Sequence, residues 1–273
     1  FPDPHHPFTP PGKYWDMYSP DQFDVEVPFS AHLNPPPNLV GHREQMVAGA
    51  RSDREQASFM ASDDEICQAK ALSAGMVTMI DDAVGKILST LKDSGALENT
   101  IVIFTSDHGD YLGDLNLLLK GPNPRRSINQ VPFIWADPRR SGPSRRGDLC
   151  SAIDIAPTIL AAVRCDPSHG VQGHDLFNTD PRGMLLIEHE DNKPTPGFAE
   201  RANLRTLISD KYRITVYLGV EWGELYNLED DPDELNNLWD DPSNLNAKIE
   251  MLQWLSQQMV ANVDPCPWPR RLA

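Results

Sequence analysis

Positive charge is scarce in this chain of 273 residues: 24 Lys and Arg face 40 Asp and Glu, for a formal net charge of -16. That balance argues against nucleic acid or an anionic membrane as partner, because both are held by clustered Lys and Arg. An anionic substrate would have to rely on local positive charge and a metal ion instead of the global field. Long hydrophobic runs are missing too. No apolar stretch approaches the ~20 residues that a membrane-spanning helix needs. Cysteine is sparse: Cys67, Cys150, Cys165 and Cys266 lie far apart and form no CxxC pair. They fit free thiols better than a zinc site or a disulfide framework. There is no internal repeat. Phe1-Pro-Asp-Pro-His-His-Pro carries neither an initiating Met nor signal-peptide character and enters no regular element, so we expect the middle of a longer protein.

What is present is an ordinary globular composition, 40% hydrophobic and 23% charged, on a chain long enough for a large core or for two units. Residues 1–45, with the Pro35-Pro36-Pro37 run, predict an ordered but irregular surface loop. Ser62-Asp-Asp-Glu65 has the capping-box pattern, and Leu72, Met76, Met79, Ala83, Ile87 and Leu91 follow at helical spacing. This predicts a helix over about 63–93, stopped by Gly95. Ile101 to Thr105 reads as a buried strand, Val131 to Trp135 as a second strand, and Ile153 to Val163 as a helix that tolerates Pro157 only in its first turn. Met184–Ile187, Thr206–Ser209 and Tyr212–Leu218 predict antiparallel strands, and a last helix is expected over about 243–260. The fold class is therefore α/β: a βαβ-type region over 1–180, then a small α+β subdomain with an antiparallel sheet over 181–273.

The chemistry concentrates after the strand at 101–105. Asp107-His108-Gly109 stands at its carboxyl end, where ligands collect in α/β proteins. A carboxylate beside an imidazole is a pair of metal ligands in waiting. Lys120, on the following Gly-rich loop, adds a compact cation for an anion. The pattern is that of half a metal-assisted hydrolase site for a sulfate or phosphate ester. The plainer alternative is a strand-end turn with a local Asp cap, an exposed His and a surface lysine. Asp63-Asp64 and Asp81-Asp82 on the long helix are explained by a helix start and a solvated face. His32, His42, His169, His174 and His189 show no partner pattern. The acidic run Glu229 to Glu234 lacks the alternating ligands and Gly of a calcium loop, so a solvated turn is expected.

Laid out in order, five segments resemble the C-terminal portion of a sulfatase, in the alkaline-phosphatase-like superfamily that includes arylsulfatases, choline-sulfatases and phosphonate monoester hydrolases. They are His5-His6-Pro7-Phe8 with Tyr14; Ile80-Asp-Asp-Ala-Val-Gly85; Thr105-Ser-Asp-His-Gly109 with Gly113-Asp114 and Lys120-Gly121; Val131-Pro132 with Ile153-Asp154-Ile-Ala-Pro157-Thr158; and Glu224-Leu-Tyr-Asn-Leu-Glu-Asp-Asp-Pro232 with Asn236-Asn237-Leu238. The resemblance implies an alkaline-phosphatase-like sandwich, of which residues 1–180 would supply the C-terminal part of the main mixed sheet and its helices. It implies that Asp107 and His108 ligate one divalent ion, calcium in the first place, manganese or zinc otherwise. Lys120 would contact a sulfate oxygen and the leaving oxygen, and His5, with His6 as its rival, would serve the leaving group. Where many relatives have His-Gly this chain has Leu115-Asn116, and where many have Arg it has Gln130, both places that bear on substrate contacts.

In that family the nucleophile is a formylglycine made from a Cys/Ser-x-Pro-x-Arg motif, which lies upstream of the His-x-Pro segment together with an Asp pair that completes the metal site. We therefore expect both in a missing N-terminal part of the same protein. Three near matches here are decoys: Cys165-Asp-Pro-Ser-His169 has His for Arg, Cys266-Pro-Trp-Pro-Arg270 has the wrong spacing, and Ser141-Gly-Pro-Ser-Arg145 sits in an Arg-rich loop with no helix starting on it. The expected partner is a small sulfate or phosphate ester, with no nucleic acid and no membrane; a homo-oligomer is left open. The alternatives are a phosphonate or phosphate ester hydrolase, a phosphomutase or phosphodiesterase of the same superfamily, or a catalytically silent fragment.

Overall fold

Pro37 opens the first helix, α1 (Pro37–Val47), inside the segment whose prolines predict irregular structure as far as residue 45. That expectation fails for a physical reason. A proline at the first helical position already has the right φ and lacks only an N–H that would have no helical partner. Asn38, Leu39 and His42 then share a buried face that holds the helix down. Ahead of it the chain does remain irregular apart from three short 3-10 turns. The structure, a computed structural model, describes residues 1–50, 57–140 and 142–263. It divides into two units, Phe1–Ser144 with Lys193–Glu200, and Arg145–Asn192 with Arg201–Ala273.

In the first unit a short strand β1 (Phe59–Met60) leads into α2 (Asp63–Asp93). The capping box forms as expected: Ser62 Oγ accepts the Glu65 N–H at 3.4 Å, and Glu65 Oε2 accepts the Ser62 N–H at 3.0 Å. Three acids in the first turn suit the positive end of the helix dipole, and Gly95, at φ +71°, ends it. The N-terminal segment runs across α2. Gly75 lets the Tyr14 backbone in so close that a Cβ there would sit 2.3 Å from the Tyr14 carbonyl oxygen. Tyr14 Oη and Lys13 Nζ both donate to Asp82 Oδ2, at 2.7 and 2.8 Å. Asp82 is thus a latch for this segment and not merely part of a solvated face.

β2 (Val102–Thr105), β3 (Leu117–Leu118), α3 (Arg126–Asn129) and β4 (Phe133–Ala136) follow. β2 pairs with β4 antiparallel, from Val102↔Ala136 to Thr105↔Phe133. This corrects the βαβ-type reading: the connection, a hairpin and the single helical turn α3, brings the chain back beside the end of β2 that it left, so that β4 starts opposite Thr105 and runs the other way. Nor is β2 buried. Val102 and Ile103 are only half-buried, and Phe104 is 39% exposed. β3 pairs with β1, Phe59↔Leu118 and Met60↔Leu117. Beneath them Ala61, Ile66, Ala69, Leu118 and Leu119 form a core on which Phe8, Val25, Phe59 and Leu112 pack.

In the second unit α4 (Ile155–Ala162) carries Pro157 in its first turn, as expected. Buried Asp154, just ahead of it, pairs with Arg182 and accepts the backbone N–H groups of Ser151 and His174 at 2.8 and 2.7 Å. A four-stranded sheet follows in sequence order, β5 (Met184–Pro194), β6 (Arg201–Ser209), β7 (Tyr212–Tyr217) and β8 (Gly223–Asn227), with β6, β7 and β8 paired antiparallel. The helix α5 (Leu245–Ala261) closes Met251 and Leu255 over Leu207, Ile214 and Leu225. The acidic run is only partly solvated. Asp231 accepts the N–H groups of Leu235 and Asn236, and buried Glu234 pairs with Arg213, itself bonded to Glu224 at 2.9 Å. Asn237 of the hallmark segment ties β8 to the following turn through the Leu225 N–H and the Gly223 carbonyl.

Candidate active site

The four residues singled out from sequence all lie in the first unit, at the two ends of one hairpin and on the segment that packs beside it. Asp107 and His108 stand where β2 ends. His108 Nδ1 lies 2.8 Å from the Gly109 carbonyl oxygen, so the hydrogen-bond network places the ring hydrogen there and leaves the Nε2 lone pair free to bind a cation. That Nε2 is 3.5 Å from Asp107 Oδ2 on a largely exposed carboxylate. Two ligands each about 2.3 Å from one ion and roughly at right angles would be about 3.3 Å apart. The pair fits as two ligands of a single divalent ion. Among the described residues no group of three or more His, Cys, Asp and Glu gathers to complete such a site. Partial burial alone would raise the Asp107 carboxyl, but the His108 backbone N–H and the nearby imidazole outweigh it and hold the group below the ordinary carboxylate range.

The glycines of the motif are there for close approach. The Gly109 N–H donates to the Ile128 carbonyl at 2.8 Å, and a Cβ on it would lie 1.9 Å from the Ser127 carbonyl oxygen. Gly113 sits at φ +103°, and Asp114 beside it is clamped by Arg125, at 2.8 and 2.9 Å, and by the Ser127 hydroxyl at 2.6 Å. The Asp-His-Gly and Gly-Asp pieces are therefore locked onto α3, the short helix at 126–129. Leu115 and Asn116, the departures from the common pattern, also serve the loop. Both have left-handed backbones; Leu115 is buried, and Asn116 bonds the Phe29 N–H at 2.9 Å and Asp63 at 2.9 Å.

Lys120 leaves the hairpin just after two buried leucines. Its Nζ lies 2.6 Å from His5 Nε2, while His5 Nδ1 lies 2.6 Å from the His6 carbonyl oxygen. Nδ1 therefore carries the ring hydrogen and Nε2 accepts from the ammonium. His6, the rival, stacks on His5 at 4.1 Å between ring centroids. Gly121 lets the loop pass Ser58, and the Tyr111 hydroxyl spans Gly121 and Asn123 from within the core. Asp110 is a further member that sequence reading missed. Burial raises its carboxyl above the ordinary range, and its Oδ1 accepts the N–H of Leu119, the residue directly before Lys120. Its only signal in the sequence is an acid directly after the Asp-His-Gly run.

Of the near matches to a nucleophile motif, Cys165 is exposed beyond α4, whereas Ser141 and Cys266 lie outside the described residues. The thiols of Cys67, Cys150 and Cys165 are free. Among the described residues no helix is long and apolar enough to cross a membrane.

The sulfatase family profile matches residues 2–164, which contain every site residue above. An arylsulfatase of Clostridium perfringens is 30% identical over 242 residues, covering 85% of this chain and 46% of its own. A choline-sulfatase of Rhizobium meliloti is 27% identical over 246 residues, covering 86% and 44%. The chain thus spans about half the length of the curated relatives it matches. Among solved structures, the phosphonate monoester hydrolase of Agrobacterium radiobacter superimposes with a TM-score of 0.78 at 22% identity over 97% of this chain and 56% of its own. A 2-O GAG sulfatase, BT1596, gives 0.70 at 20% identity over 95% and 54%. At such identities these two speak for the fold alone, which is the mixed α/β arrangement described here. By its family match, this chain is a member of the sulfatase family, in the alkaline-phosphatase-like superfamily.

Proposed function

We propose that these residues form the metal-binding and leaving-group side of an active site that hydrolyses sulfate esters. The observation that carries the reading is the Lys120–His5 pair, whose lysine stands on the hairpin that follows Asp107 and His108. A bound divalent ion, calcium first and manganese or zinc otherwise, would polarise the ester oxygens, with Asp107 and His108 as two of its ligands. Lys120 would hold a non-bridging oxygen and offset charge growing on the leaving oxygen. With Nδ1 committed to the His6 carbonyl, the proton shared by Lys120 and His5 Nε2 is the one available to the leaving group. No residue of this chain is assigned as nucleophile. We place a formylglycine and the remaining metal ligands in the part of its relatives' length that this chain does not span, so that these 273 residues alone would be catalytically silent.

The test is an assay of the purified chain and of the intact polypeptide on an aryl sulfate, with aryl phosphate and phosphonate esters alongside. Turnover by the intact polypeptide only, fastest on the sulfate, is the expected outcome. A higher kcat/KM on phosphonates would move the assignment to that branch of the superfamily. Turnover by the chain alone, abolished by Ser141→Ala, would overturn the division of the site.

A further inference from the structure

Asp110 belongs to neither pair of the site, yet one of its carboxylate oxygens joins the two arms of the hairpin between them. Its Oδ1 accepts the N–H of Leu112 at 2.9 Å and the N–H of Leu119 at 3.0 Å. These donors share a second property: Leu112 and Leu119 are both non-glycine residues with left-handed backbones, at φ 42° and 68°. A leucine does not hold that conformation unaided, because its Cβ crowds the neighbouring carbonyl. Here the half-buried carboxylate captures the amide hydrogen at each of the two left-handed points. The Leu119 carbonyl is taken in turn by the Tyr111 N–H at 2.8 Å. Leu119 is therefore fixed on both sides of its Cα, and it is the residue directly before Lys120.

The consequence reaches the chemistry. The conformation of Leu119 sets the direction in which the chain delivers Lys120, and Leu119 lies in the core on which Phe8, three residues after His5, also packs. We propose that Asp110 is a positioning residue, whose carboxylate, by holding Leu112 and Leu119 left-handed, aims the Lys120 ammonium at His5 Nε2. The role assigned to that pair rests on the sulfatase reading above; the hydrogen bonding that positions it does not. Asp110 touches no reacting atom and acts through Lys120.

The experiment compares Asp110→Asn, which keeps a carbonyl acceptor, with Asp110→Ala, which has none, in the intact polypeptide. The first readout is the side-chain nitrogen spectrum of His5 at pH 8, assigned by loss of its signals in His5→Gln. In the parent and in Asp110→Asn, His5 should show one tautomer, protonated at Nδ1 with Nε2 accepting a hydrogen bond. In Asp110→Ala it should show the mixture of a free imidazole. The second readout is kinetic: kcat on an aryl sulfate should fall about 100-fold in Asp110→Ala with KM little changed, and recover largely in Asp110→Asn. If Asp110→Ala does not fold, Asp110→Glu, which displaces the carboxylate by one methylene, takes its place with the same expectation. An unchanged His5 spectrum in a folded Ala or Glu variant overturns the proposal, as does an Asn variant as impaired as Ala. A polypeptide that is inactive on esters but whose His5 spectrum follows Asp110 refutes the sulfatase reading and leaves the positioning role standing.

Discussion

The Lys120 ammonium lies 2.6 Å from Nε2 of His5, a residue 115 positions away in the chain. Neither side chain is buried, so their meeting is not forced by desolvation. It comes from the backbone on each side: Phe8 on one arm, Leu118 and Leu119 on the other, all against Ile66 and Ala69 of α2. An exposed Lys–His contact supported in this way is worth little to stability, and its value is geometric.

Because the two groups would act on one proton, their loss should not be additive. Lys120→Ala and His5→Ala should each lower kcat of the intact polypeptide about 100-fold, and the double variant should be barely worse than either. Steady-state kinetics of the four proteins on an aryl sulfate decide it. Multiplicative losses would mean that the residues serve separate steps.

Asp107 offers its carboxylate to solvent and is held ionised by the His108 N–H and the neighbouring imidazole despite partial burial. It does little for the fold, so its role can be read in isolation. Asp107→Ala in the intact polypeptide should lose bound divalent metal, measured by elemental analysis after gel filtration, with an unfolding midpoint close to that of the metal-free parent. Metal content unchanged by the substitution would remove Asp107 from the ligand set.

How much of this was legible beforehand follows from the range of the interactions. The capping box at Ser62, the stop at Gly95 and the strands after 184 are set by neighbours in sequence, and they stand where the pattern places them. The Asp107-His108 pair and Lys120 are visible because motif spacing within one hairpin is local. Asp110 is not, since its partners are backbone N–H groups at 112 and 119 that no residue type announces. The start of α1 at Pro37 was hidden by a proline run that reads as a break. The direction of β4 against β2 depends on how the chain returns, which an apolar pentapeptide cannot tell. Asp82 and Glu234 look like solvated acids until a tyrosine and an arginine from elsewhere in the chain bind them.

His42, passed over in sequence as ordinary, is nearly inaccessible on α1, and neither ring nitrogen has a hydrogen-bond partner among the described residues. Burial lowers its pKa from 6.5 to about 4. The unfolded chain then binds a proton between those values that the folded chain refuses, so this group costs nothing above pH 6.5 and destabilises progressively as pH falls toward 4. Between pH 7 and pH 5 the loss should be about 2 kcal/mol. Urea midpoints of the parent and of His42→Phe over that range should diverge by this amount as the pH is lowered. Parallel curves would show that the imidazole is solvated or paired after all.

Arg213 on β7 offers the sharpest stability test in the second unit. It is 1% exposed, bonded to Glu224 at 2.9 Å and to Thr215 at 2.9 Å, paired with Glu234, and stacked 4.6 Å from the centre of the Tyr226 ring. Burial opposes its charge, but the two glutamates dominate and hold it protonated. One cation thus compensates two carboxylates, and the Tyr217 hydroxyl adds a donor to Glu224 at 2.5 Å. Arg213→Ala would leave Glu224 and Glu234 buried without a counter-charge, at a cost of about 3–5 kcal/mol. Arg213→Lys should recover only part of this, because an ammonium cannot span both acids as the guanidinium fork does. Replacing all three with apolar residues of similar volume should cost far less than Arg213→Ala, since the penalty lies in the stranded charges and not in the lost attraction. Denaturation midpoints of the three proteins test the ordering. A triple variant no more stable than Arg213→Ala would show that the network is needed for the packing of β7 and β8 itself.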